Sequence, residues 1–304
     1  MSEQVMISLI GEQPIPNLLP VLYDRPRLVI LVYTERTMPL SKRLKLLLEG
    51  QEMLAEMIPG SVDPYDMIKI QLALEEFISI QKLASGDLIF NLTGGTKPMA
   101  FVGYQLARKF SSPFLYLQSE GKKSVIYRYR FLDQGYKLEK VEEVPELLSI
   151  DLYLRAHLGK ADNLSKCYTE GPPEDDFALV VFKTLQPLLT EVKTSVKPCS
   201  FGGLEIDLVV RRGNQVGIIE VKSGKKAREK RGVEQIIAAA EQRFLGTYTE
   251  KFLVLDREYE SNNLRLAQAH GIKVIELPSF GTKGTLSEED KHKLLAEITI
   301  GLGG

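Results

Sequence analysis

Residues 205–224 read EIDLVVRRGNQVGIIEVKSG, two apolar, β-branched runs joined by Gly213-Asn214. A Gly-Asn pair suits a two-residue primed turn, so the stretch is expected to be a β-hairpin in which residue 212 pairs with residue 215. Carried inward, that register sets Asp207 opposite Glu220 and Glu205 opposite Lys222. Opposed side chains have Cβ atoms about 4.5–5.5 Å apart, and two carboxylates at that distance repel. A positive group must therefore sit between them. Lys222 is one candidate; Mg²⁺ or Mn²⁺ is the other, because such ions take hard oxygen ligands and can bridge carboxylates. The histidines, at 157, 270 and 292, are scattered without ligand spacing, which argues against zinc. A carboxylate-held metal beside a lysine suits phosphodiester hydrolysis, in which the metal activates water and the ammonium stabilises added negative charge. A salt-bridged surface hairpin would satisfy the same pattern.

The neighbouring sequence supplies a setting. After Gly-Pro-Pro at 171–173, the patterning predicts a helix (174–186), the hairpin (204–222), a helix (232–245), a strand (251–256), a helix (260–270) and a strand (272–277). This order around a mixed sheet resembles the core of PD-(D/E)XK nucleases, the restriction-endonuclease-like fold. The resemblance implies that Asp207 and Glu220 bind the metal, that Lys222 completes the catalytic trio, and that the Val221 carbonyl is a further ligand. Ile206 stands where the family motif has Pro. The family also often carries an acidic residue on its first helix. Glu174 should point toward the sheet, since Phe177 and Val181 mark the apolar face. Asp175 competes for that role, and both could equally be charges favoured by the helix dipole. Gln235 resembles a glutamine of the family's next helix, or is polar surface. Lys225, Lys226, Arg228, Lys230 and Arg231 follow the E-x-K strand and could hold nucleic-acid phosphates without reading sequence. A loop of that composition could also act as a gate.

The first half alternates apolar runs at 5–10, 27–33, 87–93 and 114–118 with amphipathic segments at 41–57, 65–83 and 98–110, the last opening on Pro98. This predicts a doubly wound α/β domain, closed by a hairpin over 124–141. Thr93, Gly94, Gly95, Thr96 and Lys97 lie between a strand and a helix N-terminus. Glycines admit an anion to backbone N–H groups, and Thr and Lys donate to phosphate oxygens. No Walker A loop is present, and a βα turn that binds nothing would look similar.

NLTGGTKPMA (91–100), SLIGEQPIPNLLPV (8–21) and LVYTERT (31–37) resemble the CARF domain, the CRISPR-associated Rossmann-like sensor of cyclic oligoadenylates. The resemblance implies a homodimer with one symmetric pocket, lined by Thr93–Lys97 and Met99, by Gly11, Glu12 and Gln13, and by Thr34. A ligand of repeated phosphates on a two-fold axis suits isologous pairing.

The expected organisation is a CARF domain over 1–135, a linker with a connecting helix over 136–168, and a nuclease domain over 169–304. The combination resembles the CARF-nuclease effectors (Can/Card type) of type III CRISPR defence. It implies a metal-dependent nuclease for DNA or RNA or both, activated by cyclic tetra-adenylate. The alternative is a non-catalytic sensor that grips nucleic acid through its second domain; degradation of the ligand by the sensor is a third, with no evident base near Thr93. Composition agrees with two soluble domains: 304 residues, 44% apolar, net charge −1. Cys167 and Cys199 form no C-x-x-C pair, which fits a reducing compartment without a disulfide framework. The N-terminus lacks a basic, long apolar leader, and no run approaches the roughly 18 apolar residues of a membrane span. The expected location is the cytoplasm.

Overall fold

The computed structural model describes residues 2–121, 123–199, 203–241, 245–246 and 249–303. The chain divides into two compact units, residues 1–147 with 160–164 and residues 148–159 with 165–304.

The first unit is built on a seven-stranded sheet. Its elements are β1 (Ser2–Leu9), α1 (Ile15–Asp24), β2 (Pro26–Val32), α2 (Met38–Glu49), β3 (Ala55–Met57), α3 (Met67–Ile80), β4 (Leu88–Asn91), α4 (Lys97–Lys109), β5 (Phe114–Glu120), β6 (Lys123–Phe131) and β7 (Tyr136–Glu143). The strand order is β3-β2-β1-β4-β5-β6-β7, parallel through β5 and antiparallel beyond. The buried strands carry almost unbroken apolar runs, as in Leu88–Phe90, because helices cover both faces of a parallel sheet. Order reverses between β1 and β4, which opens a crevice at their C-terminal ends.

Two departures from the sequence reading have local causes. Helix α1 was not among the elements expected from the sequence; its first-turn prolines cost little, and Leu18, Leu19 and Val21 are buried. The amphipathic segment expected at 41–57 ends at Glu49, and Ala55–Met57 instead pair with β2. The expected linker, 136–168, is divided between the units. Residues 136–143 hydrogen-bond to β6 as an edge strand, whereas the helix at 150–158 belongs to the second unit.

The second unit contains α5 (Ile150–Leu158), β8 (Tyr168–Thr169), α6 (Asp176–Leu185), β9 (Glu191–Pro198), β10 (Ile206–Arg212), β11 (Gln215–Lys222), α7 (Arg231–Ala239), β12 (Glu250–Leu255), α8 (Ser261–Ala269), β13 (Lys273–Glu276), α9 (Pro278–Lys283) and α10 (Glu288–Gly301). Its six strands run β13-β12-β11-β10-β9-β8, parallel from β11 to β13 and antiparallel from β8 to β11. The hairpin is thus central in the sheet. Strand β9 was not anticipated, because EVKTSVKP exposes polar residues on a half-buried strand. The helix expected over 232–245 spans Arg231–Ala239; residues 242–244 lie outside the described residues. Phe177, Val181 and Leu185 of α6 and Leu294, Ile298 and Leu302 at the C-terminus pack on one face with Leu208, Val210, Ile219 and Val221. Helix α7 packs on β11 and β12.

Candidate functional site

The hairpin has the expected register: Arg212 pairs with Gln215, Leu208 with Ile219, and Gly213 takes φ +59° in the turn. The ladder ends at Leu208–Ile219, so the strands part where the charges begin. There Asp207 Oδ2 accepts the Val221 N–H at 2.7 Å. Lys222 Nζ lies 3.3 Å from the same oxygen and forms an ion pair with Glu220 Oε1. Asp207, Glu220 and Lys222 are only 5%, 3% and 7% exposed. Glu205 does not oppose Lys222, because the ladder has ended; it pairs with Lys197 at 3.1 Å.

Burial dominates the electrostatics of this trio. It pushes Asp207 above its ordinary range, against the pull of Lys222 and the Val221 N–H. Burial and the nearby Asp207 charge push Glu220 up to about 8, with Lys222 opposing. Lys222 itself is held above its usual value, because attraction to Glu220 and Asp207 outweighs its own burial. Lys222 engages Glu220 Oε1 in a close ion pair. Two buried carboxylates side by side, held against one lysine, are a donor set that fits Mg²⁺ or Mn²⁺.

Strand alternation sets Asp207, Glu220 and Lys222 on the face opposite Leu208, Ile219 and Val221. Helix α6 packs with the latter, so Glu174 comes near the trio only at the end of the sheet. It is half-exposed, pairs with Lys226 at 3.3 Å, and acts on Asp207 and Glu220 through its charge. Asp175 caps α6 by accepting the Ala178 N–H at 2.9 Å and takes the Ser223 hydroxyl at 3.1 Å. Among the described residues no three His, Cys, Asp or Glu side chains converge as a metal-holding group.

Three residues around the trio escaped the sequence reading. A Cβ on Gly232 would stand 2.9 Å from Leu253 Cδ1 and 3.4 Å from Lys222 Cγ, so this glycine lets α7 close over the lysine stem. Asp256 follows β12, is 4% exposed and accepts the Gly224 N–H at 2.9 Å, which fixes the chain just after the E-x-K strand. Arg257 clasps the Asp256 carboxylate at 2.7 and 3.0 Å. The basic run is pinned at several points. Ala227 is fully buried, Tyr259 donates to the Glu229 carbonyl at 3.0 Å, and Asn263 donates to the Arg228 carbonyl at 3.2 Å. Lys225, Lys226, Arg228, Lys230 and Arg231 are all exposed, with Lys230 paired to Glu234. Gln235, on α7, is half-buried.

In the first unit, the loops after β1 and β4 meet at the crevice. A Cβ on Gly94 would fall 2.2 Å from the Leu9 carbonyl and 2.6 Å from Asn17 Oδ1; Gly95 has φ +75°. Both positions demand glycine. Gly11 lies against them, its Cβ position 3.2 Å from the Gly95 N–H. Both amide atoms of the Gln13 side chain, and Asn17 Oδ1, are buried without a hydrogen-bond partner among the described residues. Glu12 pairs with Arg36 at 2.8 Å. Lys97 is exposed at the first turn of α4, and Thr96 caps that helix while donating to the Pro64 carbonyl at 2.6 Å. Three expected pocket residues have structural bonds or contacts. Thr93 donates to Asn91 Oδ1 at 2.6 Å and accepts the Leu117 N–H at 2.9 Å. The Thr34 hydroxyl is buried against Thr37, and Met99 is fully buried beneath Gly95. Asn17, which the sequence reading passed over, carries no signal apart from being an amide in an apolar helix.

Residues 5–150 match the family described as the Card1 CARF domain. The first unit is a CARF domain of the Card1 type. The whole chain shares its fold with Can2 from Sulfobacillus thermosulfidooxidans, solved in complex with cyclic tetra-adenylate: 16% identity, TM-score 0.73, covering 97% of this chain and 96% of that one. It also matches protein VC1899 from Vibrio cholerae at 13% identity and TM-score 0.74, over 99% of both chains. A type III CRISPR defence DNA nuclease activated by cyclic oligoadenylate matches at 16% identity and TM-score 0.54, over 86% of this chain but 46% of that one. No curated protein matches in sequence. The CARF domain thus occupies one unit of a two-unit, Can2-like fold. Among the described residues no helix is long and apolar enough to cross a membrane.

Proposed function

We propose that the chain is a homodimeric nuclease of type III CRISPR defence, dependent on Mn²⁺ or Mg²⁺ and activated by cyclic tetra-adenylate. The buried Asp207–Glu220–Lys222 trio carries this reading. A structural ion pair gains little from being buried, and a hydrophobic pair of the same volume would serve stability as well or better. Asp207 and Glu220 hold the metal, with the Val221 carbonyl and Glu174 as the further ligands offered by the end of the sheet. Bound there, such an ion would supply Lewis-acid polarisation of the scissile phosphate and a lowered pKa of attacking water. Lys222 would supply an ammonium to the phosphate in the transition state. Lys225, Lys226, Arg228, Lys230 and Arg231 follow the nucleic-acid backbone.

In the CARF domain the unsatisfied Gln13 amide offers a donor and an acceptor to the ligand, and Asn17 Oδ1 a further acceptor. Gly11, Gly94 and Gly95 admit it to the backbone, and Glu12, Thr96 and Lys97 stand at the rim; Thr34, Thr93 and Met99 shape the loops. A second copy docks on the apolar side chains exposed by α3 and α4, namely Ile68, Leu72 and Phe101.

The test is incubation with plasmid, single-stranded DNA and single-stranded RNA, with and without Mn²⁺ and cyclic tetra-adenylate. Cleavage should require both additions, and Asp207→Ala or Lys222→Ala should abolish it while ligand binding persists. A second reading, a non-catalytic sensor that grips nucleic acid, draws on the pairing of Glu174 with Lys226 rather than with the trio. Binding without cuts in every condition would favour it.

A further inference from the structure

Cys167 and Cys199, far apart in sequence, are brought together by the β8–β9 ladder. Tyr168 pairs with Pro198 and Thr169 with Lys197 in antiparallel register. The next rung outward therefore sets Cys167 against Cys199, and the Cys199 N–H donates to the Cys167 carbonyl at 2.8 Å. Pro198, which has no N–H, fits the adjoining rung where no bonds are exchanged, so the cysteines hold a hydrogen-bonded rung. Residues opposed there have Cα atoms about 5.5 Å apart and side chains on the same side of the sheet. Disulfides join Cα atoms about 4.4–6.8 Å apart and Cβ atoms about 3.5–4.5 Å apart, so closing the bond must draw together the Cβ atoms of this rung, about 5.5 Å apart, at the edge of the sheet. Both cysteines are free thiols in this structure, Cys167 buried and Cys199 exposed.

We propose that Cys167 and Cys199 are a reversible oxidation site that closes an intramolecular disulfide when the protein meets a hydroperoxide. Cys199, the accessible member, attacks the peroxide as thiolate; the O–O bond breaks, and Cys199 becomes a sulfenic acid as the departing oxygen leaves as water or alcohol. Cys167 then attacks that sulfur, the S–O bond breaks, water leaves and the S–S bond forms. Two thiols lose two electrons and two protons, and the peroxide accepts them. Burial pushes the Cys167 thiol up, with Arg155 opposing and Asp151 and Cys199 adding, so it is a poor competitor for free peroxide and reacts instead with the sulfur placed beside it. The bond closes the segment 167–199 into a ring containing Glu174, α6 and β9, and anchors a two-residue edge strand covalently. This site is independent of the nuclease reading and would stand if that reading failed.

The experiment treats the full-length reduced protein with stoichiometric hydrogen peroxide, alkylates the remaining thiols under denaturing conditions, and maps both cysteines by mass spectrometry without reductant. The expected result is one cross-linked peptide pair, two hydrogens lighter than its reduced parts, that reverts with dithiothreitol. Cys167→Ser should leave Cys199 as sulfinic acid or an intermolecular disulfide, and Cys199→Ser should leave Cys167 reduced. The proposal is overturned if wild-type Cys199 oxidises while Cys167 is recovered as a free thiol, or if neither cysteine changes at a dose that oxidises exposed methionine.

Discussion

Glu220 shows how a single carboxyl links stability to function. Its pKa is about 8 in the folded chain and 4.5 ordinarily. Between those values the folded state holds a proton that the unfolded state has lost, so stability falls as pH rises through the window and levels off above it. Asp207, also raised, adds to the same trend. Glu220→Gln removes the titration. In thermal melts without divalent ions, its midpoint should therefore gain on wild type between pH 5 and pH 8 and then hold a constant lead; a gap that does not change with pH would contradict the burial argument. Mn²⁺ should compete with the proton, raising the wild-type midpoint most near pH 8 and leaving Glu220→Gln nearly unmoved.

At the scale of elements, the hairpin shows what sequence can and cannot convey. Alternation and the Gly213-Asn214 turn determine the register, because both are local. The loss of pairing beyond Leu208 is not local: it depends on Asp207 capturing the Val221 N–H once the strands part. Glu174 was placed from helix periodicity alone, which cannot tell which face of a central sheet the helix will cover. Helix α1 was obscured by prolines, and Gly232 by being one glycine among 24 in the chain. Gly232 makes the consequence measurable. Gly232→Ala gains up to about 1 kcal/mol of helix propensity while pressing on Leu253 and Lys222. Global stability should stay near wild type, but cleavage should fall by about 10- to 100-fold, the cost of a small misplacement at a reacting centre. Unchanged turnover would show that Lys222 tolerates a shift and is not the positioned cation.

For the whole molecule, the proposed function requires ligand binding in the CARF domain to be coupled to the nuclease unit. Lys97 is the probe with least structural cost, since it is exposed and forms no ion pair among the described residues. Lys97→Ala should leave the ligand-free melting midpoint unchanged and weaken cyclic tetra-adenylate binding by about 10- to 100-fold, the range of one charge-assisted hydrogen bond. Phe101→Glu buries a charge at the proposed contact between copies and should shift the mass by light scattering from dimer to monomer. Coupling itself is reciprocal: if the ligand tightens the grip on nucleic acid by some factor, nucleic acid must tighten ligand binding equally. Asp207→Ala, expected to bind without cutting, allows both arms to be measured by calorimetry. Equal factors well above one would establish a shared two-state equilibrium; factors of one in both directions, beside ligand-dependent cleavage by wild type, would place activation in the chemical step rather than in substrate binding.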